Sequence, residues 1–401
     1  MPIGNWSTTN IPTDLARKSY AAAMMRYMPN GGCTLFGLTA LMAEETAYQI
    51  EHGFYSKTMV FPSVTLGAAV ADGVATSFTV ADSSAITVGM VLRADTTNEN
   101  VLVIAVPDAT HITVRRALGG TSGAIANTVK LWQVGNAFEE GSLRPPAVSI
   151  VPVRQINYTQ IFRNTWAVTG TSQATDVIAG GTLVAENKQD CSAFHATAIE
   201  TALIFGKKYM GTLNGMPFHT MGGVLEAITT NAPGNIATLL ATTNYTQLEA
   251  ALDPQFDQTT DPKGTRERLK LVGGVGLRVL NNIARVNSQY EIETGEKEWG
   301  LQFSSFKLPR GRFNVVEHPL FNAYGGSSSW AKMALDVDTS SFSVAYLRGR
   351  KTAFKDFGQG SNAADSGIDA IGGTVTTEMT CLVKNPAANA VQYNYTAAAV
   401  G

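Results

Sequence analysis

Between residues 66 and 142 the sequence alternates five short β-branched runs with clusters of turn residues. The runs occupy 74–80, 86–93, 99–106, 111–117 and 128–134, and the turns carry Asp82-Ser83-Ser84, residues 95–98, Pro107-Asp108 and Gly119-Gly120. Short strands at this even spacing predict a small sandwich or barrel with a core of its own. The segments on either side, 55–66 and 148–169, also read as extended. A β module between two extended segments is what insertion into the tip of a β-hairpin produces, because exposed loop tips tolerate inserted domains best. The rest of the chain must then fold with the module's two ends close together.

The remaining chain mixes helical and strand periods. A polar start leads into a helix-like stretch over 13–28, Asn30-Gly31-Gly32 interrupts it, and a second helical run covers 35–50. The longest helix is expected at 183–210, with Cys191, Phe194, Ala198, Ile199, Ala202, Phe205 and Tyr209 on one face. At 1.5 Å per residue that is a rod of roughly 42 Å. Beyond Gly211, a short helix is expected over 245–252, stopped by Pro254. Strands are expected at 301–306, 313–317, 332–337, 342–346 and 375–383, and the small polar tail from Asn385 is expected to fray. The fold class is α+β.

Composition narrows the function. Of 401 residues only 15% are charged, against about 25% in an ordinary soluble domain. Thirty basic and 32 acidic residues leave a net charge of −2, which argues against a dedicated nucleic-acid reader. The longest apolar stretch, 101–106, is far shorter than the roughly 18 residues of a membrane helix. The N-terminal residues show no secretory pattern. A surface low in charge without a membrane segment points to one covered by protein partners. Cys33, Cys191 and Cys381 are widely spaced and read as buried thiols, and the five histidines show no metal spacing. Val272-Gly273-Gly274-Val275-Gly276 follows a strand-like run and precedes a helical one, the order of a dinucleotide-binding turn. Val279 stands where the third glycine belongs, so the pattern reads as a glycine-rich bend in a packed domain. The basic clusters at 263–270, 307–312 and 348–351 read mostly as salt-bridge donors between subunits.

Three groups of residues carry a resemblance. The first is Asn157-Tyr158-Thr159-Gln160-Ile161-Phe162-Arg163 with Val168-Thr169-Gly170-Thr171. The second is Thr220-Met221-Gly222-Gly223-Val224 with Thr230-Asn231. The third is Ala345-Tyr346-Leu347-Arg348-Gly349-Arg350, with Thr377-Glu378-Met379-Thr380-Cys381-Leu382 and Asn385-Pro386-Ala387 behind it. In this order and spacing the chain resembles the major capsid proteins of tailed double-stranded-DNA bacteriophages, which have the Hong Kong 97-type fold. The resemblance spans about 13–390 apart from the β module.

The resemblance implies an N-terminal arm and first helices over 1–50 and an extension loop over 51–172 that carries the inserted β module at 66–142. It implies a peripheral domain over 173–219 with a spine helix at 183–210, and an axial domain over 220–340. Residues 341–401 would return to the peripheral domain and form the C-terminal tail. The implied function is a structural virion protein that self-assembles into an icosahedral shell around packaged double-stranded DNA, with no enzymatic role, cofactor or metal. Its implied partners are itself, in pentamers and hexamers, the portal, scaffold or decoration proteins, and packaged DNA by weak non-specific contact, with no membrane. Synthesis in the host cytoplasm and a place in the virion capsid follow from the same resemblance. Lys188, Lys207 and Lys208 are the candidate DNA-facing contacts, the inserted module is expected on the outer surface, and no covalent crosslink between subunits is expected. The alternatives are a tail-tube, decoration or baseplate component and, from another class, a dinucleotide-dependent enzyme built on Gly273–Gly276.

Overall fold

The computed structural model describes residues 37, 39, 44–57, 62–120, 122–144, 149, 151–175, 182–240, 244–257, 266–286, 293–298, 301–323, 329–357 and 369–396. The helix expected over 13–28 and Cys33 lie outside them, as does most of the expected arm. The described residues divide into two compact units, one within Tyr55–Arg154 and the other made of the chain on either side of it.

The Tyr55–Arg154 unit is a six-stranded antiparallel barrel. Its strand order is Ser63–Thr65, Lys130–Asn136, Met90–Ala94, Asn100–Asp108, His111–Arg115, Ser77–Thr79. A bridge between Leu66 and Val80, with Gly67 N–H donating to the Thr79 carbonyl at 2.9 Å and Ala81 N–H to the Thr65 carbonyl at 2.8 Å, joins first strand to last. Closure leaves no open edge for another chain to extend. Alternate residues fill the interior, among them Phe78, Leu92, Val101, Val103, Ile112, Val114 and Leu131. One ion pair is buried with them. Arg116 Nη2 donates to Glu99 Oε2 at 2.6 Å, and the Glu99 carboxylate also accepts from the N–H groups of Ala117 and Gly123. Arg116 donates in addition to the carbonyls of Asp72 and Gly123, so the pair ties Ala117 and Gly123 to the barrel. Burial works to raise the Glu99 pKa, but Arg116 and the two N–H groups outweigh it and hold it below the ordinary value.

The other unit contains two sheets. The five-stranded one runs Glu44–Ala47, Phe342–Leu347, Ala370–Val383, Gln160–Thr169, and Ala353–Phe357 also pairs with Ala370–Val383. The seven-stranded one runs Ile236–Thr238, Ala390–Tyr393, Ala334–Val337, Glu267–Val272, Gly311–Glu317, Leu301–Leu308, Glu293–Glu298. A single apolar core joins residues of both sheets, including Phe162, Val344, Met379, Leu271, Leu335 and Val391, to Ile199, Leu203 and Ile204 of a long helix. Glu51–Ser56 and Val153–Tyr158 pair as a separate two-stranded sheet.

The structure departs from the sequence expectations at four places. The long helix spans Leu183–Phe205, about 35 Å, and stops five residues early. It stops because Gly206 lies so close to the chain at Met221 that a Cβ there would sit 2.6 Å from the Met221 carbonyl oxygen. Its buried face holds His195 and Glu200, whereas Phe194 is 68% exposed. The helical run expected over 35–50 ends in the strand Glu44–Ala47, because parallel pairing with Val344–Leu347 overrides local propensity. The tail from Asn385 is ordered through Thr396 and does not fray there. Ala390–Tyr393 is an interior strand of the seven-stranded sheet, with Asn389 and Gln392 fully buried and hydrogen-bonded. The C-terminal segment is therefore shared between the two sheets.

Candidate functional site

The three groups of residues singled out in the sequence meet at one polar cluster. Asn157, near the end of the Val153–Tyr158 strand that leads into Gln160–Thr169, donates from Nδ2 to the carbonyls of Gly222 at 2.8 Å and Cys381 at 2.7 Å. Its Oδ1 accepts from Gly222 N–H at 2.7 Å. One buried side chain thus closes the amide groups of two distant segments, which is why an amide rather than a carboxylate stands there. Next to it Thr159 Oγ1 donates to Glu378 Oε1 at 3.0 Å, and Arg350 Nε meets Glu378 Oε2 at 2.6 Å. From the long helix, His195 reaches Asn164 Oδ1 at 2.9 Å and Thr377 Oγ1 at 2.8 Å. Burial lowers the His195 pKa, so the neutral ring fills this bridge. The Cys381 thiol donates to the Gly222 carbonyl, and burial pushes its pKa up to about 12. It is a packing group, not a nucleophile.

This cluster fixes the root of a β-hairpin. Tyr209–Leu213 and Met216–Thr220 pair around Asn214-Gly215, both at positive φ (52° and 77°), the geometry of a type I′ turn. At the root, His219 Nδ1 meets the Thr159 carbonyl, Met221 N–H donates to Gln160 Oε1 at 3.1 Å, and Thr220 Oγ1 donates to the Lys207 carbonyl at 2.7 Å. The outer part carries Tyr209, Met210, Leu213, Met216 and Phe218, all exposed. The arrangement holds apolar surface out on the body that the cluster ties together. Among the described residues no group of three His, Cys, Asp or Glu side chains could hold a metal ion.

Comparison with known proteins decides what such a body is. Residues 7–396 match the family model described as SU10 major capsid protein. The chain belongs to the SU10 major capsid protein family. It is 38% identical, over 97% of its length and 94% of the relative's, to the major capsid protein of Pseudomonas phage PaMx41. Solved structures similar to it include the encapsulin complex of Synechococcus elongatus, 9% identical over 96% of this chain and 94% of that one with a TM-score of 0.47. Mycobacterium phage Bobi is 12% identical over 97% and 93% with a TM-score of 0.44. The protein is a structural shell protein of a phage, and the tail and baseplate alternatives fall away.

In this capsid protein the three lysines expected on the spine helix are separated. Lys188 lies on the helix, pairs with Asp356 Oδ2 at 2.9 Å and covers the Trp166 ring at 4.7 Å. Lys207 and Lys208 follow the helix end and are exposed, and Lys208 Nζ donates to the Ile156 carbonyl at 3.2 Å. The structure does not bring the three together. Several residues of the basic clusters are spent inside the chain: Lys270 on Asp336 at 2.7 Å with both side chains buried, Arg310 on Asp257 at 2.6 Å, and Lys351 on Glu44 at 2.7 Å. The glycine turn is filled by the chain itself. A Cβ on Gly273 would lie 2.4 Å from the Ala331 carbonyl oxygen, and Gly274 N–H donates to Asn322 Oδ1 at 2.8 Å. Its glycines serve close packing, and the N–H groups a pyrophosphate would use face protein. Sequence reasoning missed the buried Glu200–His318 pair, 2.6 Å apart, which ties the long helix to the end of the Gly311–Glu317 strand. The signal was two polar residues, His195 and Glu200, within an otherwise apolar helix stripe.

Proposed function

We propose that this capsid protein closes into an icosahedral, Hong Kong 97-type shell of pentamers and hexamers around packaged double-stranded DNA. The observation that carries the reading is the Asn157 cluster, which ties the end of the Val153–Tyr158 strand and the root of an apolar hairpin to the unit that holds the two sheets. Elements held out in this way bury their apolar surface only against neighbours, and many identical contacts closed by symmetry give a stable shell. In this reading residues 1–50 are the arm and 51–172 the extension loop, with the barrel as its inserted module on the outer surface. Residues 173–219, 220–340 and 341–401 supply the peripheral domain, the axial domain and the return, with Leu183–Phe205 as the spine helix. The role is structural and non-enzymatic. Portal and scaffold or decoration proteins are the expected further partners, and synthesis takes place in the host cytoplasm.

Packaged DNA meets the inner wall through weak contacts, for which Lys188, Lys207 and Lys208 are the candidates. Lys207 and Lys208 are the more available, since Lys188 is engaged by Asp356 and Trp166. Particles of the full chain imaged by electron microscopy should be closed, with five-fold and six-fold capsomers. Tubes or stacked rings would contradict the reading. Lys207→Glu with Lys208→Glu should leave shell yield intact and lower genome retention. A loss of empty-shell assembly would overturn that assignment.

A further inference from the structure

The hairpin Tyr209–Leu213/Met216–Thr220 carries Tyr209, Met210, Leu213, Met216 and Phe218 exposed on one short segment. Tyr209, Gly211 and Leu213 face the same side as Thr220, Phe218 and Met216, their cross-strand partners. On that side Tyr209 is 57% exposed, Leu213 57%, Met216 70% and Phe218 42%. The Tyr209 and Phe218 rings lie 6.3 Å apart, and a Cβ on Gly211 would collide with the Tyr209 hydroxyl at 2.5 Å, so the tyrosine lies over the glycine. No Asp, Glu, Lys or Arg occurs from Tyr209 to Thr220. Aromatic residues and methionine without charge are the composition of an interface core rather than of a wetted surface. A two-stranded hairpin is marginal alone in water, yet this one is rooted by the Asn157 cluster and held in register by a type I′ turn. It displays the patch in one fixed orientation.

We propose that this hairpin face docks on a second copy of the same chain and is a subunit contact of the shell, an inference that rests on the self-assembly reading above. Area selects the occupant. The exposed side chains offer roughly 500 Å² of apolar surface, short of the ~800 Å² per partner of a stable pair. A contact too small to hold one pair is effective when the same geometry repeats it around a closed shell. Pro217 selects the mode. The Thr212–Pro217 pair adjoins the Leu213–Met216 pair that closes the turn, so its backbone groups point to the open edges, and Pro217 has no N–H to offer there. The neighbour is therefore gripped by side chains on the face, not by adding a strand to the Met216–Thr220 edge.

The test compares the full chain with Met216→Asp, Leu213→Asp and the conservative Met216→Leu, each expressed without any other viral protein and then with its scaffold candidate. Expected is wild-type shell yield for Met216→Leu and at least a tenfold loss for both aspartate variants, whose thermal melts stay at the wild-type value. Hydroxyl-radical labelling of wild-type particles should also find Met216 several-fold less reactive than in unassembled subunits. Wild-type particles in which Met216 labels as fast as in free subunits, or aspartate variants that assemble normally, would overturn the inference while leaving the shell reading intact. Protection that appears only with the second viral protein would assign the face to that partner and overturn it equally. A wild-type chain that assembles under neither condition would bring down the shell reading itself, and this inference with it.

Discussion

Asn157 holds three backbone groups at once, the N–H and carbonyl of Gly222 and the carbonyl of Cys381. Replacing it with alanine leaves the Gly222 N–H without its acceptor and removes the side-chain donor from both carbonyls, of which that of Gly222 keeps the Cys381 thiol; a buried group left unpaired costs about 1–3 kcal/mol. Asn157→Ala should therefore lower subunit stability by about 2–4 kcal/mol, measured as a shift in urea midpoint. Asn157→Asp should do no better, because a carboxylate offers no donor to the two carbonyls. Lys270 poses a similar test with charge. Its ammonium sits fully buried between Asp336 Oδ1 and Gln392 Oε1, each at 2.7 Å, above the Phe313 ring. Lys270→Met alone should cost about 3–5 kcal/mol by stranding Asp336, and Lys270→Met with Asp336→Leu should recover most of it. Neither role is legible in the sequence. Asn157, Gly222, Glu378 and Cys381 stand out there as parts of ordered stretches, but only the fold brings residues up to 224 positions apart into one cluster. Lys270 reads as part of a basic run because sequence shows its charge and not the antiparallel register that sets Asp336 opposite it.

At the scale of elements, the barrel was legible because its strands alternate buried and exposed residues, as in His111–Arg115. Ser63–Thr65 lies in the extended lead-in read at 55–66, and only its pairing with Lys130–Asn136 makes it a strand of the barrel. The helix end at Phe205 was hidden for another reason: the apolar stripe runs on to Tyr209, and only the tight approach of Gly206 to Met221 and Gly223 stops it. Gly206→Ala should destabilise the subunit by about 1–3 kcal/mol through forced backbone shifts, read as a lower melting temperature. The barrel carries its own pH signature. Because the Glu99 pKa is depressed from its model-compound value of 4.5, its contribution is complete above that value and is lost as pH falls through the lower, folded-state value. Hydrogen exchange within 63–136 should speed up below about pH 4.5 more than in the rest of the chain. Glu99→Gln should raise exchange there already at neutral pH, since it leaves Arg116 buried with half its partner.

For the whole molecule, a charged fraction of 15% is explained by where the apolar surface lies. Phe194 on the long helix, Tyr55 and Val153 on the paired strands at the module's ends, and the hairpin from Tyr209 to Thr220 all face outward. A monomer gains nothing from such exposure, whereas a shell subunit covers it with copies of itself. Two sheets sharing one core, with the last strand returning to the second of them, make the body that holds these surfaces in place. Multi-angle light scattering on the purified full chain, taken across concentration and salt, tests this most directly. Closed particles in the megadalton range, forming cooperatively above a threshold concentration, are the predicted result. A folded species that stays at the 42.6 kDa of one chain at every concentration, alone or with its companion virion proteins, would contradict it.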